Sequence, residues 1–475
     1  MQKYLKTFES ILYWGILVLI FFIPLYQKFP LTILKGSFVA IRLEDFIFAF
    51  IYMVWLFYLV ASKKIITIFK DKLFQAILVF FLVGFVSLVS AVLISHTVIF
   101  KIGIFHFLRR VELILLLPLL LTSIKNSRQI YFYLASISLA VFITNLFALG
   151  QRFLHFPVVS TINSELSKGF VYYMGVNDRV NSTFAGHYDL AVFLMMFISV
   201  APTLLYYFTS KKKNKSHFDT AAFIWLAILL FLSLLVLVMT AARLSFIAAA
   251  MGIFVSLLLI GKKKYLIYLF IAVLIVLAYP STLRDRFIST FTVNIHQDWQ
   301  RYFGVSDEQR KRSELNIPTL PTVSEQETKP SGTESADIVP GEPTNVTQLG
   351  VYRSFAIRTQ VEWPRAIRGF LRNPLLGSGY SSIDLATDND LLRSLGETGI
   401  LGTYSFLLVV YLLIKRLWLR FKREVGFFKY LAGGVLAAVL AFVVNSLFID
   451  VFEASKVASM FWLISGLGLA VPRKN

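Results

Sequence analysis

The chain contains no cysteine, which excludes disulfides, thiol nucleophiles and thiolate-held metals and leaves the redox compartment open. Histidine is scarce: the six are His96, His106, His155, His187, His217 and His296. No two of them stand at metal-ligand spacing on one helix, so neither a metal site nor another cofactor is expected. A glycine-rich phosphate loop is also missing; "GSGY" from Gly377 reads only as a turn, so no nucleoside-triphosphate engine is encoded. Charge is thin as well, at 16% of 475 residues, far too little to cover a soluble protein of that length. Acidic residues are the scarcer sign, 27 against 47 basic, giving a formal charge of +20. Much of that excess sits in short patches between apolar runs, with no soluble basic domain, so a nucleic-acid partner is not expected.

What fills the chain is apolar: 57% of residues are hydrophobic and 16% aromatic. Runs long enough for a bilayer core recur, which predicts an all-α polytopic membrane protein of about twelve spans. They cover Ser10 to Tyr26, Leu43 to Val60, Leu73 to Ile94, Ile104 to Leu121, Tyr131 to Leu149, Leu190 to Phe208, Thr220 to Val238, Leu244 to Ile260, Tyr265 to Tyr279, Ile400 to Ile414, Phe427 to Phe448 and Val457 to Val471. Met1 to Tyr26 lacks a small-residue cleavage site and reads as a retained first span. With both termini cytoplasmic, the inward turns carry Lys63, Lys64, Lys70 and Lys72, then Lys125 and Arg128, the "KKKNK" run from Lys211, "KKK" from Lys262, and the cluster Lys415, Arg416, Arg420, Lys422 and Arg423. Each obeys the positive-inside rule.

Two outward segments exceed a turn, from Gly150 to about Asp189 and from Pro280 to about Gly399, so the chain divides into 1–279, 280–399 and 400–475. Within the second, 307–350 is rich in Pro, Glu, Thr and Ser and too poor in apolar residues to offset the entropy of ordering, which predicts disorder. Phe287, Phe291, Ile295 and Trp299 recur every fourth residue, as in a helix lying on a membrane surface. Tyr352 to Arg372 predicts another helix that Pro364 starts or kinks.

The outer face is selected for arginine. Between Val351 and Arg393 stand Arg353, Arg358, Arg365, Arg368, Arg372 and Arg393 and no lysine. A guanidinium fork fits phosphate oxygens at two points and keeps its proton, so the cluster suits a lipid phosphate or diphosphate; helical salt bridges such as Arg358 to Glu362 to Arg365 are the plainer reading. Arg179 precedes the sixth span, with His187 in reach of the same face, and Arg243 sits in the tight turn between the seventh and eighth. Either they snorkel to head groups or they hold a diphosphate with the loop arginines. Last comes "DNDLLRSLGETGILG", from Asp388. Asp388, Asn389 or Asp390 can cap the following helix, with Asp390 the better cap and Asp388 the better candidate for chemistry. Glu397 can brace Arg393 at helical spacing, while Gly399 and Gly402 allow neighbouring helices to approach.

"RVNSTFAGHYDLAVFL", "TAARLSFIAAAMG" and "NPLLGSGYSSIDLATDNDLLRSLGETGILG" resemble, in order and spacing, the three signatures of the O-antigen ligase and O-antigen polymerase family of bacterial membrane glycosyltransferases. The third matches at Pro374, Leu375, Leu376, Gly377, Gly379, Asp388, Asn389, Leu392, Glu397, Gly399 and Gly402. The resemblance implies a GT-C-like fold in the bacterial cytoplasmic membrane and a metal-independent enzyme of surface polysaccharide assembly. It would take a glycan from an undecaprenyl diphosphate carrier to an acceptor hydroxyl, on a glycan or lipid-glycan, at the outer leaflet. Asp388 becomes the base; Arg179, Arg243, Arg358, His187 and Asn389 bind diphosphate or substrate; Glu397, Arg393, Gly377 and Gly379 support them. Two departures are Ala242, where serine often precedes the arginine, and Asp388, where ligases usually carry histidine. Aspartate there resembles polymerase-like members and tilts the reading towards polymerase.

The rival class is a transporter or flippase of lipid-linked sugars. Arg109, Arg110 and Glu112 inside the fourth span favour it, although Arg109 and Glu112 can simply pair. No half of the chain repeats the other, and polar residues gather at the outer edge.

Overall fold

The computed structural model describes residues 2–27, 29–33, 40–159, 173–175, 178–210, 216–288, 358–383 and 387–470. The expected disorder at 307–350 and the outer part of the proposed surface helix lie outside them. Helices α1 (Gln2–Leu25), α2 (Leu43–Ala61), α3 (Ile65–Phe69), α4 (Lys72–Leu93), α5 (Phe100–Ser123), α6 (Ser127–Phe153), α7 (His187–Ser210), α8 (His217–Met239), α9 (Arg243–Leu259) and α10 (Tyr265–Ala278) precede the long loop. A short antiparallel pair, β1 (Pro30–Ile33) with β2 (Ala40–Arg42), joins α1 to α2. Beyond the loop come a π-helical turn, Arg358–Glu362, and α11 (Trp363–Arg372), α12 (Asp390–Arg423), α13 (Gly426–Ser446) and α14 (Ser455–Leu469).

Each of the twelve predicted spans coincides with a helix, but they are not alike. Among the described residues eight helices are long and apolar enough to cross a bilayer. A ninth span is bent: α10 turns through 90° into a short helix, Thr282–Ile288. Helices α9 and α14 have 17 and 15 residues, and α5 carries Lys101, Arg109, Arg110 and Glu112. These three are the helices whose shortness or charge a neighbour must accommodate.

The bundle's centre is α7, α13 and α14, where most side chains are buried. α13 packs on α7, α9 and α12, while α14 packs on α5 and α12 on α4. Lipid tails are as apolar as leucine, so helix association there relies on close packing and a few interhelical hydrogen bonds. Small residues line the contacts, among them Ala248, Ala249, Ala438 and Ala441, all buried. Asn145 donates to Ser233 at 2.9 Å across α6 and α8, and Asn445 to Ser245 at 3.1 Å across α13 and α9.

The feature that shapes the Asp388 end of the bundle is a break in α12. Gly399 has φ 66 and ψ −166, so the helix stops and restarts there. The backbone groups freed by the break are met by the "NPLLGSG" segment: Ile400 N donates to Pro374 O at 2.8 Å and Leu401 N to Leu375 O at 3.2 Å. In return Ser378 N donates to Gly396 O and Gly379 N to Glu397 O, both at 2.8 Å. Non-helical backbone at membrane depth survives where protein satisfies it, as here. A Cβ on Gly399 would lie 2.5 Å from Leu375 C and one on Gly377 2.4 Å from Glu397 C. The glycine at 399 therefore admits a loop rather than the neighbouring helix expected from sequence. Gly402 faces Thr398 of its own helix.

Candidate active site

Asp388 stands just ahead of α12 with φ 50, a left-handed conformation that aspartate tolerates better than most residues. Asp450, from the α13–α14 connection, holds it there. Its carboxylate accepts from the backbone N–H groups on either side, Thr387 at 2.8 Å and Asn389 at 3.0 Å, and from Arg393 Nη1 at 3.0 Å. With both flanking amides clamped, the Asp388 carboxylate points to Arg358 on the π-helical turn. Oδ2 of Asp388 accepts from Arg358 Nε at 3.0 Å and Nη2 at 2.6 Å. The plainer Arg358 to Glu362 pairing gives way to this contact across the loop.

Arg358 is buried, while the Asp388 side chain keeps 31% of its surface exposed. Burial, followed by the nearby Asp450 charge, pushes the Asp388 carboxyl above the usual carboxylate range against the pull of Arg358. Glu362, one turn from Arg358, is buried, and its Oε2 finds no hydrogen-bond donor among the described residues. Burial and then Asp388 push the Glu362 carboxyl up to about 8, so at neutral pH it is protonated beside an ionisable partner. A raised carboxyl beside a protonated neighbour suits proton transfer near neutral pH.

Next to this pair the arginines converge. Arg243 lies within electrostatic reach of Arg286, Arg358 and Arg179. Its Nη1 donates to Arg286 O at 2.8 Å, and Arg286 Nη1 donates to Ala241 O at 3.0 Å, so the α8–α9 turn and the bent end of α10 are laced together. Arg179 Nη1 lies 3.0 Å from His187 Nε2 at the start of α7. Burial and then Arg286 weaken Arg179's hold on its proton, as expected of cations crowded together. The three arginines expected from sequence thus come to one place, with His187 among them.

Other residues take different places from those expected. Asn389, not Asp390, caps α12, its Oδ1 accepting from Leu392 N at 2.9 Å. The cap commits Asn389 Oδ1 to the helix. Asp390 is buried and accepts from Phe452 N at 3.1 Å. Glu397 does brace Arg393, at 3.3 Å, and both join a deeper network: Arg110 lies 3.5 Å from Glu397 and pairs with Glu453, which lies 3.2 Å from Arg393. Arg109 bonds Asp45 at 2.6 Å and Glu112 at 3.1 Å. The charges of α5 that favoured a transporter are thereby absorbed into ion pairs, Arg109 and Arg110 with other elements and Glu112 with Arg109 of the same helix. Gly377 and Gly379 belong to the segment that closes the α12 break.

Four contributors escaped the sequence reading: Arg286, Glu362, Asp450 and Glu453. Arg286 hid in a pattern taken for a surface helix. The sequence offers Glu362 only as a salt-bridge partner of Arg358, and the signal for Asp450 and Glu453 was "FIDVFEASK", where two acids and a lysine interrupt an apolar run. No group of histidine and carboxylate ligands able to hold a metal occurs among the described residues.

No curated protein matches the chain. Residues 228–407 match the family model described as O-antigen ligase. That stretch runs from α8 to the first turns of α12 beyond the break, and includes Arg243, Arg286, Arg358 and Asp388.

Proposed function

On the match of residues 228–407 to the O-antigen ligase family model, we propose that the Asp388 site transfers a glycan from a polyprenyl diphosphate carrier to an acceptor hydroxyl. The observation that carries the reading is a single geometry: one half-exposed carboxylate, Asp388, bonded to Arg358, with Arg179, Arg243 and Arg286 grouped beside them. Asp388 takes the proton of the acceptor hydroxyl. The oxygen so freed bonds to the anomeric carbon of the donor glycan, whose bond to the diphosphate oxygen breaks. The electron pair leaves on the lipid diphosphate, and guanidinium groups fixed in advance stabilise that charge. His187, against Arg179, positions that arginine. A nucleotide sugar is unnecessary, because the leaving group comes with the donor.

Aspartate at 388 favours growth of a polymer from lipid-linked repeats over transfer to a separate lipid-glycan. One observation leans towards a transporter, the broken α12, since transporters bind at discontinuous helices. Here the groups released by the break are taken up by the 374–379 segment, which leaves none for a passenger.

The test is product analysis with purified protein and diphosphate-linked repeats alone. Chain growth is expected, falling by about 10²- to 10⁴-fold in Asp388→Asn, the usual range for losing a general base, and likewise lost in Arg243→Ala. Normal turnover by both variants would refute the site; silence until a second acceptor is added would make the enzyme a ligase.

A further inference from the structure

The end of α12 opposite Asp388 carries a second cationic centre that glycan transfer does not use. α12 restarts after Gly399 and runs on to Arg423, so at 1.5 Å per residue its unbroken part alone is about 36 Å long. At that far end cations lie over aromatic rings: Lys415 over Tyr411 at 5.8 Å, Lys422 over Trp418 at 4.6 Å, Lys429 over Phe421 at 5.4 Å and Arg420 over Phe428 at 5.7 Å. Rings and cations mixed in one layer mark the level of lipid head groups.

Arg420 differs from the others in being buried, with 7% of its surface exposed. Among the described residues Nε, Nη1 and Nη2 all lack a hydrogen-bond partner. The Glu424 carboxylate, four residues on, stands 4.0 Å from Nε, beyond hydrogen-bond distance. Asp71 is already taken by both Nη atoms of Arg416, at 2.8 and 2.7 Å. A buried guanidinium with five N–H donors and no acceptor is unfavourable unless an anion completes it. The partner that fits a planar fork at head-group depth, amid an excess of cations, is a phosphate oxyanion.

We infer that Arg420 is a phosphate-binding site at the end of the bundle remote from Asp388, filled by an anionic lipid head group. This site is independent of the proposed glycan transfer, and its test reads binding alone.

Purified full-length protein in a zwitterionic detergent would be titrated with phosphatidylglycerol, phosphatidylcholine and inorganic phosphate, following retained lipid by native mass spectrometry and the thermal midpoint. The wild type should retain phosphatidylglycerol over phosphatidylcholine and melt at a higher temperature with it. Arg420→Gln should weaken that binding by about tenfold, the loss of one good charge-assisted contact. Glu424→Gln removes a competing carboxylate and should tighten it, a gain that a poorly folded variant cannot imitate. An equal response to inorganic phosphate would keep the site and make free phosphate its ligand. Unchanged phosphatidylglycerol retention in both variants would overturn the proposal.

Discussion

Asp388 is held in a backbone conformation that few side chains tolerate, and the agent is another carboxylate. Asp450 spends its oxygens on the amides of Thr387 and Asn389, which leaves Asp388 free to face Arg358. The proton balance of this neighbourhood predicts a pH profile. As pH falls through the raised Asp388 value, the base is protonated and turnover drops, above the pH at which an ordinary carboxylate titrates. As pH rises past about 8, Glu362 ionises and sets a second negative charge beside Asp388 and the diphosphate, so turnover falls again. Folding is linked in the same sense. The folded protein binds the Glu362 proton more tightly than the unfolded chain, so this stabilisation is complete below the ordinary carboxylate value, about 4.3, and lost as pH rises towards 8. Glu362→Gln keeps the neutral form permanently and should abolish the alkaline limb of both activity and thermal stability while leaving the acid limb in place. An unchanged alkaline limb in that variant would assign it to another group.

At the scale of elements, the decisive event is the break in α12 and its repair by residues 374–379. The two glycines at the crossing have positive φ and no room for a Cβ. Gly377→Ala therefore combines left-handed strain with a clash against backbone, and backbone cannot rotate aside as a flexible side chain can. Each such strained position costs about 1–3 kcal/mol, with overpacking adding a similar amount. Thermal unfolding in detergent should show a marked fall in midpoint for Gly377→Ala, whereas Gly426→Ala, in open space, should show only the strain. Equal losses would mean that the 374–379 crossing does not support α12. Ser87 on α4 belongs to the same repair, donating to Leu376 O at 2.6 Å and Glu397 O at 3.1 Å. The loop, the broken helix and α4 thus share one polar seam, and the Asp388 turn sits directly above it in the chain.

For the whole molecule, segments far apart in the chain meet at one end: the start of α7, the α8–α9 turn, the bent end of α10, the π-helical turn, the start of α12 and the α13–α14 connection. Up-and-down helices require this, since alternate connections return to the same side. The basic patches of the sequence fall in the other connections, so the positive-inside rule predicts the Asp388 end on the outer face. The chain offers a clean check because it has no native cysteine. Cysteine placed at exposed Tyr173 should react with an impermeant maleimide added to intact cells, and cysteine at exposed Arg423 only after the membrane is opened. The reverse pattern would invert the topology and put the proposed site on the cytoplasmic side.

Much of this was legible in one dimension. A bilayer imposes a minimum apolar length and sorts lysine and arginine by side, so the positions of the long apolar helices follow from the sequence pattern, as α1, α2, α4 and α6 to α8 illustrate. Arg179, Arg243, Arg358 and Asp388 could likewise be chosen by eye, because ionisable residues at the ends of apolar helices are unfavourable without a purpose. What the linear chain could not decide was pairing. Whether Arg358 turns to Glu362 or to Asp388, whether Asn389 or Asp390 caps α12, and whether Gly399 admits a helix or a loop depend on which distant backbone arrives. Asp450 lies 62 residues beyond Asp388, yet it clamps the turn that aims the carboxylate. Local sequence sets the price of each conformation; only the packed bundle supplies the partner that makes one of them the lowest in free energy.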